Sequence, residues 1–130
     1  MNTYKEALKI DAIGAIFSAL GSLLILKFMN ASMEVPEGWL IFTVFYALGI
    51  LIFDVVSIKK LGNALRHCLM ITVALNIIFV LLAINVLVSN WLTLNSLGVF
   101  YLILEIVIVA VLSVWQLTVV INEQMKVIEK

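Results

Sequence analysis

The stretch 68–104, CLMITVALNIIFVLLAINVLVSNWLTLNSLGVFYLIL, contains no charged residue. A short polar segment at 89–96 divides it into two apolar arms. A short polar segment between two apolar runs predicts a turn between neighbouring helices. The arms belong to longer apolar runs at about 64–88 and 96–121. Each run is long enough to cross roughly 30 Å of hydrocarbon at about 1.5 Å per residue, so the stretch predicts a hairpin of two membrane spans.

Two further apolar runs precede this hairpin, at about 7–28 and 38–58. The connection at 30–38 holds the only proline, Pro36, and the connection at 59–63 is short and basic. Hydrophobic residues make up 65% of the chain and charged residues 12%, about half the charged share of a soluble domain. We therefore expect residues 1–130 to form a single all-α domain, an integral membrane four-helix bundle.

The first span could instead be a cleaved signal peptide, because Lys5 and Lys9 precede its apolar part. The small-residue pattern before a cleavage site is poor, however. Asp11 followed by Gly14 and Ser18 is more typical of a helix that packs against other helices. We therefore expect the first span to be retained.

Positive charges fall mainly on one side of this four-span arrangement. Only Lys27 lies on the other side; the remainder are Lys5, Lys9, Lys59, Lys60, Arg66, Lys126 and Lys130. Cytoplasmic segments retain Lys and Arg, so the pattern predicts an antiparallel up-down-up-down bundle with both termini cytoplasmic. The formal net charge is zero, so the sequence has no excess of positive charge that would favour binding to nucleic acid. The expected surroundings are the lipid bilayer.

One carboxylate, Glu105, lies near the middle of the fourth span, where a charge is costly. Asn76 in the third span falls at a similar depth, about 18 Å from the cytoplasmic end at about 1.5 Å per residue. Tyr101 lies one helical turn before Glu105 and therefore on nearly the same face. Glu105, Asn76 and Tyr101 are the predicted mid-membrane polar site.

A second polar group is predicted at the cytoplasmic mouth, from Asp11, Asp54, Arg66 and His67. These residues lie near the inner ends of the first three spans. They could form ion pairs that lock the helix ends, or a gateway for an ion, a proton or a ligand. The chain has one histidine and one cysteine, Cys68, so no metal site and no cofactor are expected.

Gly14, Ser18 and Ser22 recur every four residues, a spacing of small side chains that lets helix backbones approach closely in lipid. This small-residue face could pack within the chain's own bundle. It could also bind a second copy or another membrane protein.

Three short segments carry a family resemblance: Ile10–Gly14, Ala74–Asn76, and Leu97 and Gly98 followed by Leu104 and Glu105. With them the sequence resembles a group of small four-helix bacterial integral membrane proteins. The resemblance implies a location in the bacterial cytoplasmic (inner) membrane and implies no activity.

Three functions remain open from the sequence. The first is an interaction or accessory subunit that acts through helix packing. The second is a proton- or cation-linked transport or channel module that uses Glu105, and the third is lipid or quinone binding between helices. The chain lacks a glycine-rich phosphate loop and a nucleophile elbow, so an enzyme is not expected.

Overall fold

A computed structural model of the protein describes residues 3–29, 34–60 and 64–129. These residues contain four helices: α1 (Thr3–Leu24, prolonged by a π-helical segment at Ile25–Met29), α2 (Glu37–Lys60), α3 (Leu65–Ser89) and α4 (Ser96–Glu129). Each is long and apolar enough to cross a membrane. The all-α class and the four-helix bundle predicted from the sequence are therefore confirmed. The predicted connections at 30–38 and 59–63 lie partly outside the described residues, as do Lys130 and the side chains of Lys60 and Lys126.

The predicted polar turn between α3 and α4 is built by two asparagines. The backbone N–H and the side-chain amide of Asn90 both donate to the Val86 carbonyl, at 3.0 and 2.9 Å, and so end α3. The Asn95 side-chain oxygen accepts from the Gly98 N–H at 2.9 Å, which caps the start of α4. Local side-chain chemistry thus sets where this hairpin turns.

The helices pair as α1 with α2 and α3 with α4, and these two interfaces are the most extensive. Ala15 and Ala19 of α1 pack there against Ala47 and Ile50 of α2. Small side chains allow this close approach, which favours van der Waals contact between helices in lipid. α1 also contacts α3 and α4, and α2 contacts α3, so α1 touches every other helix of the bundle.

Polar side chains lie inside this bundle and large apolar ones cover its outside, as expected of helices that contact lipid. Some of the buried hydroxyls bond only to the carbonyl one turn earlier in their own helix: Thr43 to Trp39, Ser57 to Phe53 and Ser113 to Val109. The remaining buried polar side chains bond between helices. They define the polar interior: Asp11, Ser22, Asp54, Thr72, Asn76, Glu105 and Gln116.

Candidate functional site

Glu105 lies on α4 with 8% of its surface exposed, and it meets α1. The Ser18 hydroxyl donates to Glu105 Oε1 at 3.1 Å. The other carboxyl oxygen, Oε2, is buried and has no hydrogen bond of ordinary geometry. A buried carboxyl oxygen in this state is uncommon and needs an explanation. The neighbouring Tyr101 side chain also interacts with this carboxyl group, and Oε2 is the oxygen at which a further donor would find an acceptor.

Tyr101 lies beside Glu105, as the helical spacing predicts, and the Tyr101 hydroxyl is 2.9 Å from the Ser22 hydroxyl of α1. A methyl group added at Gly14 would lie 3.8 Å from Leu112 of α4. Gly14, Ser18 and Ser22 thus all face α4 of the same chain. This face therefore contacts α4 within the bundle, and the binding of a second copy or of another membrane protein stays a prediction.

Asn76 belongs to a different hydrogen-bonded group from Glu105. Its amide donates to Asp11 Oδ1 at 2.8 Å and to Gln116 Oε1 at 3.1 Å. The Gln116 amide in turn donates to Asp11 Oδ1 at 3.0 Å. This triad joins α1, α3 and α4. The sequence placed Asn76 with Glu105 and Asp11 with the cytoplasmic mouth, whereas the structure pairs Asn76 with Asp11.

Asp54 of α2 is fully buried and accepts a hydrogen bond from Thr72 of α3 at 3.1 Å. Its carboxyl group lies within interacting distance of the Asp11 carboxyl. Two members of the predicted cytoplasmic-mouth cluster are therefore together. His67 is exposed at the start of α3 and Arg66 is partly buried beside it, so the structure leaves His67 outside the buried group.

A cavity of about 430 Å³ is lined by members of both the Glu105 group and the Asn76 group. Glu105, Tyr101, Asn76 and Asp11 all line it, so the predicted mid-membrane residues share one cavity even though they divide into two bonded groups. Apart from Ser18, its remaining walls are apolar or aromatic, with three exposed side chains at the edge between α1 and α4: Phe17, Leu104 and Ile108. The cavity thus reaches the outer surface of the bundle.

Sequence reasoning missed part of this site. Neither of the two predicted polar groups contains Gln116, which donates to Asp11 of α1. Tyr46, which lines the cavity and donates its hydroxyl to the Leu75 carbonyl, was not singled out. The available signal was a tyrosine in the middle of an apolar span, since a buried phenol needs a hydrogen-bond partner.

The described residues contain no group of three or more His, Cys, Asp or Glu side chains that could hold a metal ion. The fold and the site define a helical bundle with four helices able to cross a membrane and a largely apolar cavity that a few polar side chains line. No family model, curated protein or solved structure matches the chain. The resemblance to small bacterial four-helix membrane proteins stays a prediction.

Proposed function

We propose that this chain is a small integral membrane protein that binds an amphiphilic ligand in the cavity at Glu105. The observation that carries the proposal is the buried Oε2 of Glu105, which has no hydrogen bond of ordinary geometry and lies at the wall of a largely apolar cavity. Burying a carboxyl oxygen without a partner is costly. A ligand that donates a hydrogen bond or carries a positive charge would remove that cost.

The cavity walls favour a ligand with an apolar body and a cationic head. Cavities of roughly 300–1,000 Å³ with apolar walls and a few polar groups are typical of small-molecule sites, and this cavity measures about 430 Å³. Three aromatic side chains, Tyr46, Phe79 and Tyr101, line the same cavity as Glu105. Aromatic faces attract ammonium groups, most strongly where water is excluded.

The ligand would enter from the lipid. Phe17 of α1 and Ile108 of α4 are exposed on the outside of the bundle and also line the cavity. The interface between α1 and α4 is far less extensive than that between α1 and α2. An amphiphile dissolved in the bilayer therefore meets the site through the α1–α4 seam without crossing water.

Exchange of the ligand against a proton would make the protein a transport module. A cation and a proton compete for the same carboxyl of Glu105, so binding of one displaces the other. This proposal combines the second and third functions left open by the sequence. Binding of a quinone or a neutral lipid, by contrast, would not displace a proton from Glu105.

The test is equilibrium binding of decyltrimethylammonium to the protein in lipid nanodiscs, with decanol as the uncharged partner ligand. We expect Glu105→Gln to weaken cation binding at least tenfold, which corresponds to about 1.4 kcal/mol, and to leave decanol binding within twofold. Glu37→Gln is the matched control, because it removes an exposed carboxyl at the start of α2. Equal cation affinity in Glu105→Gln and Glu37→Gln would overturn the proposal.

The membrane arrangement is part of the same proposal. The inter-helix pairs support antiparallel neighbours: along α1, Asp11 pairs with Gln116 and Ser22 with Tyr101, so the order reverses on α4. The bias of Lys and Arg supports cytoplasmic termini, in a bacterial inner membrane as the resemblance implies.

An interaction or accessory role stays a proposal with weaker support. Its main motivation was the small-residue face of α1, and that face packs against α4 within the chain. Assembly into a homo-oligomer or with another membrane protein stays a proposal. Substituting Ser18 by Leu would disturb the bundle itself and so could not identify a partner.

A further inference from the structure

The chain has two aspartates, Asp11 and Asp54, and the bundle brings both into its interior. Thr72 and Asn76 lie one turn apart on α3, so their side chains project from the same face. Thr72 donates to Asp54 and Asn76 donates to Asp11. The same face of α3 therefore holds the two carboxyl groups side by side.

Each carboxyl group has one oxygen in use and one unused. Oδ1 of Asp11 accepts from Asn76 and Gln116, and Oδ1 of Asp54 accepts from Thr72. As long as both carboxyl groups are ionised and can only accept, Oδ2 of each aspartate is buried without a hydrogen bond. The two carboxyls interact with each other. One hydrogen atom between the two Oδ2 atoms would give both of them a hydrogen-bond partner.

We propose that Asp11 and Asp54 share a single proton between their Oδ2 atoms and form a proton-binding site distinct from Glu105. One protonated carboxyl donates to the other, and both orphan oxygens are then satisfied. Two carboxylates in contact away from water cannot both remain ionised, because each charge opposes the other. The pair is best described as one unit with one proton.

A metal ion fits this site less well than a proton. Sodium-like or calcium-like ions need about six oxygen ligands. The amide nitrogens of Asn76 and Gln116 already point at Asp11, and the Thr72 hydroxyl hydrogen points at Asp54. Two oxygens remain, which is the number a shared proton needs.

The groups around the pair come from all four helices. Asp11 comes from α1, Asp54 from α2, Thr72, Asn76 and Cys68 from α3, and Gln116 from α4. Loss of the shared proton would leave two repelling charges at this junction. The shared proton thus stabilises the junction of the four helices, whether or not the cavity binds a ligand.

The experiment is solid-state NMR of protein in lipid bilayers after labelling with ¹³C-aspartate, which reports only Asp11 and Asp54. The carboxyl carbon shift separates the acid form from the ionised form. At neutral pH we expect the two signals together to account for one acid and one carboxylate, and to move together when the pH is raised. Two ionised signals, or two acid signals, at neutral pH would overturn the proposal.

Two variants sharpen the result. In Asp54→Asn the carboxyl that shares the proton with Asp11 is gone, so the Asp11 signal should move from its wild-type position; an unchanged Asp11 signal would contradict the shared proton. In Glu105→Gln both aspartate signals should keep their wild-type positions, and a change would show that the two sites are not distinct. The wild-type spectrum decides the main question even if Asp54→Asn fails to fold.

Discussion

Asn76 takes part in two hydrogen bonds between helices, as do its partners Asp11 and Gln116. It donates from α3 to Asp11 on α1 and to Gln116 on α4. In lipid, such bonds replace water as the partners of buried polar groups, and measured values average about 0.6 kcal/mol with a maximum near 1.7. Bonds to a carboxyl group lie toward the strong end. Asn76 therefore contributes more to the bundle than its size suggests.

We expect Asn76→Ala to lower the free energy of unfolding by about 2 kcal/mol, since it leaves the Asp11 and Gln116 side chains buried with fewer partners. Asn85→Ala is the control, because Asn85 is an exposed asparagine on the same helix. Its removal should cost less than about 0.5 kcal/mol. Unfolding in mixed micelles with increasing SDS measures both. Equal losses in the two variants would contradict the central role of Asn76.

The sequence predicted the neighbours along each helix and not the partners across helices. Tyr101 and Glu105 were expected on one face because the helical repeat fixes their relative direction. Depth arithmetic placed Asn76 level with Glu105, but it fixes only the height of a side chain in the membrane. The rotation of each helix about its axis decides which neighbour it meets, and α3 is rotated so that Asn76 meets Asp11.

Among the elements, α1 is the helix that organises the bundle. One side of it, with Ala15 and Ala19, packs closely on α2. The adjacent side, with Gly14, Ser18 and Ser22, faces α4 and the cavity. The first interface is tight and the second leaves space, so α1 is held by α2 while the α1–α4 seam remains accessible.

The space on the α4 side predicts that Gly14→Ala stabilises the protein. The new methyl group would lie 3.8 Å from Leu112 Cδ2, an ordinary van der Waals contact. Alanine is also a better helix former than glycine, by about 0.5–1 kcal/mol. We expect a gain of about that size in the free energy of unfolding. A close helix contact at Gly14, as in a tightly packed dimer, would instead make the substitution destabilising.

Gly21→Ala separates the two contributions. A methyl group at Gly21 has no neighbour within 4 Å, so it reports the helix preference alone. The difference between the two variants measures the contact with Leu112. If Gly14→Ala is less stable than wild type while Gly21→Ala is more stable, then α4 lies closer to α1 than the structure places it.

The spans themselves could be predicted closely because their cause is local. Apolar runs define the helices, and the asparagines at 90 and 95 set the turn that separates α3 from α4. The contact between α1 and α3 across the bundle could not be predicted in this way. It arises because small side chains on α1 let three helices crowd around it, which depends on all the interfaces at once.

At the scale of the whole molecule, the positive charges should fix the direction of insertion. We expect both termini in the cytoplasm and the turn between α3 and α4 outside. In a Cys68→Ser background, a cysteine at exposed Thr93 should react with an impermeant maleimide in intact cells. A cysteine at exposed Glu6 should react only after the membrane is opened. The reverse labelling pattern would invert the proposed orientation.

The proposed exchange at Glu105 also predicts how ligand binding depends on pH. A cation and a proton compete for one carboxyl, so the apparent affinity for decyltrimethylammonium should rise as the pH rises. The slope can reach about tenfold per pH unit where the carboxyl is mostly protonated, because one proton is released per ligand bound. Decanol, which displaces no proton, should bind with an affinity that varies less than twofold over the same range.

Glu105→Gln decides whether this dependence belongs to Glu105 or to the aspartate pair. The glutamine cannot titrate, so cation binding should become weak and lose its pH dependence, while the Asp11 and Asp54 carboxyls remain in place. Binding isotherms at a series of pH values in nanodiscs measure the slope. If the slope persists in Glu105→Gln, the proton that exchanges with the ligand comes from another group. Asp11, which lines the same cavity, would then be the residue to test.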